Sequence, residues 1–181
     1  RVELARQLVR DCDIMLLDDP LADLDYKLQK RMELEIRSIH ADLGSTFLYV
    51  THNQDQALKL ADKLVVMNNG MVEQVGTPTE VYQSPETAFV GRFVGDSNAF
   101  EGTVTATEGD TVLLDTPLGE IQATTAPGAV STGDTSLFQF RPNAVRRANE
   151  EDVDNSFTAQ LIDQTYTGEE TELMFRHNDS E

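Results

Sequence analysis

The first half of the chain alternates continuous apolar runs with stretches in which apolar residues recur every three or four positions. Residues 14–17 and 47–50 are continuous runs, a pattern typical of parallel strands that are covered on both faces. Between them the apolar positions follow helical spacing, at Leu24, Leu28, Met32, Ile36, Ile39 and Leu43. This spacing predicts an amphipathic helix that packs on a sheet, and Gly44 provides its C-terminal stop. The order of strand, helix and strand indicates an α/β domain.

Shorter elements follow after residue 50. Asn69-Gly70 lies between two apolar runs and accepts the positive φ angles of a hairpin turn. Thr77 and Glu80 form a capping box around Pro78, which predicts the start of a helix. The predicted elements are a helix over 54–61 with Ala57, Leu58 and Ala61 facing inward, strands over 64–67 and 71–75, a helix from Pro78, and a helix that Ser84-Pro85 opens.

Around Gly95 the pattern changes to short apolar runs in a background rich in Thr, Gly and Val. Short strands at this spacing predict a small all-β barrel or sandwich. Residues 147–156 are polar and acidic, and they predict an exposed loop. The chain therefore predicts two domains, 1–95 and 96–181. The runs with strand character are 100–104, 111–114, 120–123 and 137–140, with two more strands within 157–175 around Tyr166-Thr167-Gly168.

Charge separates the two halves further. The net charge of the 181 residues is −18, of which residues 1–95 carry −5 and residues 96–181 carry −13. An acidic surface opposes nucleic-acid binding, which depends on Lys and Arg at phosphates, and it disfavours direct adhesion to anionic lipid. The single Cys12 precludes an intramolecular disulfide and fits a reducing cytoplasm. No apolar run approaches the roughly 18 residues of a membrane span. Any function at a membrane is therefore expected to depend on a partner subunit.

Two acids follow the first apolar run, at Asp18 and Asp19, and Pro20 ends the strand because it has no N–H for the ladder. Open α/β sheets bind ligands at the carboxyl ends of their strands. One acid in this position suits Mg²⁺, and a second suits the orientation of an attacking water. The alternative for either residue is an ordinary turn or helix-cap aspartate.

Residues 14–25 resemble the Walker B motif and D-loop of ATP-binding-cassette (ABC) ATPases, and His52, at the end of Tyr49-Val50-Thr51-His52, resembles their switch histidine. Residues 1–8 resemble the helix that follows the LSGGQ signature of this family. The signature and the G-x-x-x-x-G-K-[ST] phosphate loop do not occur in the sequence. The resemblance therefore implies the C-terminal part of a longer cassette subunit.

This resemblance assigns roles residue by residue. It implies that Asp18 ligates Mg²⁺ and that His52 contacts the γ-phosphate of ATP. Asp19 takes the place of a glutamate that polarises the attacking water. It is one methylene shorter, about 1.5 Å, and misplacement of that order can cost ~100-fold in rate. In the D-loop, Asp23 would face the nucleotide of the opposite subunit across the dimer interface, and Asp25 would support the loop; a capped helix start is the alternative use of both acids.

The second half resembles the TOBE-type oligonucleotide-fold domain of importer ATPases. The likeness rests on residues 98–104 and on Phe140-Arg141-Pro142-Asn143, where Asn143 replaces the glutamate of an R-P-E element. Residues 74–78 and 90–95 add landmarks in the same order. The implied fold class is α/β, with the C-terminal part of a P-loop NTPase cassette followed by a small all-β TOBE-like domain.

The resemblance implies an ATP-binding and ATP-hydrolysing subunit of an ABC importer, nearest to spermidine/putrescine importers. Its cofactors would be ATP and Mg²⁺. Its partners would be a second copy in a homodimer, transmembrane permease subunits and, indirectly, a solute-binding protein, with no nucleic acid. It would lie at the cytoplasmic face of the inner membrane. The 181 residues alone would be inactive, because the phosphate loop and the signature are absent.

Other functions remain open at this point. Because aspartate replaces glutamate at Asp19, the cassette could be a regulatory or hydrolysis-deficient subunit with a ligand-sensing β domain. The cargo could instead be iron(III), sulfate or sugar. A cassette that serves translation or DNA repair is disfavoured, because such proteins need basic surface for nucleic acid.

Overall fold

The computed structural model describes residues 12–126, 128–148, 155–168 and 170–177. The chain divides into two compact units, Arg1–Asp96 and Ser97–Glu181. The described strands form four separate sheets, three of two strands and one of four. The predicted mixture of helices and strands is thus confirmed. The helix predicted over residues 1–8 lies outside the described residues, and the assignment of the units to a P-loop cassette and a TOBE domain remains a prediction.

The described part of the first unit begins with the predicted strand–helix–strand order. Strand β1 (Ile14–Asp18) pairs in parallel with β2 (Thr46–Val50). Helix α1 (Tyr26–Leu43) connects them, and its N–H of Leu28 donates to the side chain of Asp25 at the N-cap. The helix ends at Gly44, whose φ of 65° is left-handed, a conformation that glycine adopts at little cost. The helix and the glycine stop are confirmed. The predicted apolar face is confirmed only in part, since Ile36 is its one buried member in the helix and Leu43 is 45% exposed.

The burial of these two strands differs from the prediction. On β1, Leu17 is 4% exposed whereas its neighbour Leu16 is 65% exposed. Leu48 and Val50 of β2 are exposed as well. Because side chains alternate across a strand, one face of this small sheet is buried and the other is open. The prediction of two covered faces is wrong for the described residues, since within them no element lies over the second face.

The rest of the first unit forms around a β-hairpin. Strands β3 (Leu64–Asn68) and β4 (Met71–Gly76) are antiparallel, and Asn69 and Gly70 both have positive φ between them. This is the predicted Asn-Gly turn. Val66 of β3 packs with the buried valines Val81, Val90 and Val94.

Three short helices complete the described part of this unit, namely α2 (Gln54–Leu60), α3 (Pro78–Gln83) and α4 (Ala88–Phe93). The capping box at Thr77 and Glu80 is present with both of its hydrogen bonds. The predicted inner face of α2 is only half-buried, and Gln56 is the buried residue instead.

The predicted start of the last helix at Ser84-Pro85 is wrong, because α4 begins after the N-cap Thr87. Gln74 supplies the physical reason. Its buried side chain donates from Nε2 to the carbonyl of Ser84 (3.1 Å) and accepts at Oε1 from the N–H of Glu86 (3.0 Å). These bonds hold the segment between α3 and α4 in a bend. The carbonyl of Ser84 and the N–H of Glu86 are bonded to the side chain of Gln74 in place of helical partners.

The second unit is built from strands, as predicted. The four-stranded sheet consists of β5 (Asn98–Glu108), β6 (Thr111–Thr116), β7 (Gly119–Thr124) and β8 (Thr135–Phe140). Their order is β7-β6-β5-β8, with antiparallel pairs throughout. Strand β5 is longer than the predicted run 100–104; it pairs with both β6 and β8, and its register with β6 shifts between Val104 and Ala106. Buried Val104, Val112 and Leu114 form the core of the sheet. A 3-10 helix (Pro142–Ala144) follows β8. Strands β9 (Gln160–Tyr166) and β10 (Thr171–Arg176) then pair as an antiparallel hairpin.

Replacement of Gln74 by leucine is expected to destabilise the first unit by about 1 to 3 kcal/mol, because two backbone groups lose their partner. Thermal or denaturant unfolding of Gln74→Leu measures this change. The matched control is Gln83→Leu on the exposed surface of α3, which should stay within about 0.5 kcal/mol of the wild type. Equal stability of the two variants would contradict the role given to Gln74.

Candidate functional site

The candidate site lies where β1 and β2 end side by side. Asp18 and Val50 are the last paired residues of the two parallel strands. The N–H of Asp19 then donates to the carbonyl of Val50 (2.7 Å), which extends the pairing by one hydrogen bond. The residues that follow each strand, Asp19 on one and Thr51 and His52 on the other, are thereby brought to the same edge.

Asp19 has a left-handed backbone, with a φ of 42°. Asp and Asn enter this region far more readily than other residues with a side chain, because their short polar groups bond locally. Its carbonyl accepts from the N–H of Ala22 (3.2 Å), so the chain leaves the sheet in a turn. This conformation directs the residue at position 19 out of the strand's alternation and towards the end of β2.

Both carboxylate oxygens of Asp19 have partners on the neighbouring segment. Oδ2 lies 2.8 Å from Nδ1 of His52, and Oδ1 accepts from the hydroxyl of Thr51 (3.1 Å). The Asp19 side chain is 29% exposed and the His52 side chain is 81% exposed. Because Nδ1 faces the carboxylate, Nε2 is the ring nitrogen of His52 that can reach a ligand. The predicted pair is therefore joined directly in the structure.

Asp18 is the last residue of β1, and its side chain is exposed. A carboxylate is the hard oxygen ligand that Mg²⁺ prefers, and Mg²⁺ commonly keeps waters and shares its site with phosphates. In the part of the chain that the structure describes, no three His, Cys, Asp or Glu residues form a metal cage. The exposed carboxylate fits a cation shared with a phosphate and does not fit one enclosed by protein.

Asp23 and Asp25 lie on the connection from β1 to α1. Asp25 accepts the N–H of Leu28 (3.1 Å) and so caps the helix. Asp23 is exposed in the same connection, which Leu21 anchors in the interior. Within the described ranges, no hydrogen bond or ion pair joins either acid to Asp19 or His52. The helix-cap use of Asp25 is thus present, and an interface role for either residue stays a prediction.

Three further residues surround Asp19 that the sequence reasoning did not single out. They are Tyr49, Thr51 and Gln56. The Tyr49 hydroxyl donates to Oε1 of Gln56 (2.9 Å), and Gln56 is only 2% exposed. The sequence offered little signal for Gln56, because the apolar pattern of this helix placed Ala57, Leu58 and Ala61 inward and left position 56 out. A buried amide next to a strand that ends in Thr-His indicates a polar network.

The environment of Tyr49 favours its neutral form. Burial and, to a smaller extent, the negative charges of Asp19 and Glu33 together raise its pKa from 10.0 to about 12. The phenol therefore remains a hydrogen-bond donor to Gln56 throughout the neutral range.

A cavity of about 520 Å³ opens on the four-stranded sheet of the second unit. Its described lining combines apolar side chains such as Val104 and Phe138 with amides and hydroxyls such as Gln122 and Ser136, and it contains no charged side chain. A lining of this kind suits a neutral ligand and offers an anion no cationic partner.

None of the described helices combines the length of a membrane span with sufficient apolar character.

No family model matches the chain. It is similar to proteins named spermidine/putrescine import ATP-binding protein PotA. The protein from Oleidesulfovibrio alaskensis is 38% identical over 179 residues, 97% of this chain and 48% of that protein. That from Rubrobacter xylanophilus is 39% identical over 181 residues, 99% and 48%, and that from a Nostoc species is 48% identical over 119 residues, 66% and 31%.

The chain spans about half the length of the Oleidesulfovibrio and Rubrobacter proteins. The part it matches is their C-terminal half. This similarity to import ATP-binding proteins agrees with the resemblance that the motifs indicate.

The Tyr49 environment predicts a loss of stability in alkaline solution. The phenol of the unfolded chain ionises near pH 10.0 and that of the folded chain near pH 12, so its contribution is complete below about pH 10 and is lost as the pH rises towards 12. Denaturant titrations between these values should show a steeper decline in the free energy of unfolding for the wild type than for Tyr49→Phe. Parallel declines would contradict the burial of this hydroxyl.

Proposed function

We propose that the chain forms the C-terminal part of the ATP-hydrolysing subunit of an ABC importer. The observation that carries this proposal is the direct contact of His52 with Asp19 at the carboxyl edge of two parallel strands. The similarity to import ATP-binding proteins supports the same function.

In the proposed reaction, Asp19 orients the water that attacks the γ-phosphate and accepts its proton. His52 holds the Asp19 carboxylate through Nδ1 and offers Nε2 to the γ-phosphate. Asp18 would ligate Mg²⁺, which neutralises charge on the phosphate oxygens when bound. The two acids thus have different roles. The exposed Asp18 suits a cation, whereas Asp19, which His52 and Thr51 hold, suits the orientation of a water.

The remaining contacts to ATP must come from other residues of the full-length subunit. The 181 residues contain no G-x-x-x-x-G-K-[ST] sequence, which in P-loop proteins surrounds the phosphates with backbone N–H groups. We therefore propose a homodimer in which each site combines parts of two subunits, with Asp23 and Asp25 near the dimer interface.

The proposed partners are permease subunits that cross the membrane, and through them a solute-binding protein. The subunit would lie at the cytoplasmic face of the inner membrane. The names of the relatives favour a polyamine such as spermidine or putrescine as cargo. A net charge of −18 gives the chain no general affinity for nucleic acid.

The proposed catalytic pair is tested by steady-state MgATP hydrolysis in a full-length subunit that carries this chain. Asp19→Asn and His52→Ala should each lower kcat by about 100-fold or more, since one removes the base and the other removes its support. The matched control is Asp42→Asn, an exposed acid at the end of α1, which should stay within about twofold of the wild type. Unchanged kcat in either active-site variant would contradict the assignment.

A second prediction concerns the 181 residues alone. Without the phosphate loop they should bind MgATP with millimolar affinity or weaker and should not hydrolyse it. Isothermal titration calorimetry measures the affinity directly. Micromolar binding would mean that the phosphates are held by residues other than those proposed.

A further inference from the structure

We propose that Thr51 is a positioning residue that orients the carboxylate of Asp19, and that Tyr49 supports this role by donating to the competing acceptor on Gln56. This inference rests on the proposed ATPase function. It adds three residues that act through Asp19 and touch neither ATP nor the metal.

The argument begins with the single proton of the Thr51 hydroxyl. Two acceptors lie within its reach, Oδ1 of Asp19 at 3.1 Å and Oε1 of Gln56 at 3.5 Å. The hydroxyl oxygen itself accepts from the N–H of Asn53 (3.1 Å). A hydroxyl has one donor, so it can serve Asp19 or Gln56 but not both at full strength.

Tyr49 biases this competition. Its hydroxyl donates to the same Oε1 of Gln56 at 2.9 Å, a shorter contact than that of Thr51. Gln56 is held in place because it is buried and because its N–H donates to Oδ1 of Asn53 (3.1 Å). An amide oxygen has two lone pairs, so Tyr49 weakens Oε1 as an acceptor without excluding Thr51 from it. Oδ1 of Asp19 is nearer and charged, so it forms the stronger hydrogen bond with the proton of Thr51.

The consequence for Asp19 is a carboxylate fixed at two points. His52 holds Oδ2 and Thr51 holds Oδ1, so rotation of the carboxylate about its Cβ–Cγ bond is restrained. An attacking water needs a base in a defined orientation, and small errors in that orientation lower the rate steeply. Thr51 therefore contributes to kcat by orienting the carboxylate of Asp19. Its replacement should leave the affinity for ATP unchanged.

The test is MgATP hydrolysis by a full-length subunit that carries this chain, with Thr51→Val, Thr51→Ser, Tyr49→Phe and the double variant Tyr49→Phe/Thr51→Val. Thr51→Val keeps the side-chain shape and removes the hydroxyl, so kcat should fall about 10-fold with KM for ATP within about twofold. Thr51→Ser should restore most of kcat. Tyr49→Phe should lower kcat less than Thr51→Val does, and the double variant should equal Thr51→Val alone, because Tyr49 acts only through that hydroxyl. Thr46→Val, the same change at the other end of β2, should leave kcat unchanged.

A second readout does not depend on turnover. The carboxyl-carbon NMR signal of Asp19, identified by its absence in Asp19→Asn, should move in Thr51→Val and should move partway in the same direction in Tyr49→Phe. It should stay near its wild-type position in Thr51→Ser. An inactive wild type with these signal changes would overturn the proposed function and leave the positioning network standing. An unmoved signal in Thr51→Val, a failure of Thr51→Ser to restore kcat, or additive losses in the double variant would overturn the network itself.

Discussion

The parallel pairing of β1 and β2, continued by the hydrogen bond from Asp19 to the carbonyl of Val50, is the constraint on which the candidate site depends. Asp19 and His52 are 33 positions apart in sequence. This register brings Oδ2 of Asp19 to 2.8 Å from Nδ1 of His52. A shift of one residue would turn every side chain of a strand to the other face. The site is therefore specified by backbone pairing first and by the identity of its side chains second.

The aspartate at position 19 and the backbone beneath it form a matched pair. Aspartate is the shorter acid, and its left-handed φ places it where His52 and Thr51 both reach it. Aspartate also tolerates this conformation better than glutamate does. The aspartate that stands where the ABC resemblance has a glutamate is thus accompanied by a local geometry that suits the shorter side chain, and both of its carboxylate oxygens have partners.

Patterns that depend on neighbouring residues were predictable from the sequence. The period of α1, the stop at Gly44, the Asn-Gly turn and the capping box at Thr77 each follow from a few adjacent positions, and the structure contains all four. Features that depend on contacts between distant segments were not predictable. The bend held by Gln74, the burial of Gln56 and the open face of β1 each require knowledge of what lies opposite in space. The contact of His52 with Asp19 belongs to the same group, because the resemblance pointed to each residue separately and their spacing could not predict the contact.

The most direct test of the catalytic role of Asp19 is steady-state MgATP hydrolysis by the wild-type full-length subunit beside Asp19→Glu. The wild type should turn over and the longer acid should bring no gain in kcat, because a glutamate on a left-handed backbone would lose at least one of the two contacts that Asp19 makes. A wild type that binds ATP without hydrolysing it, together with activity gained in Asp19→Glu, would contradict this role and favour a regulatory subunit.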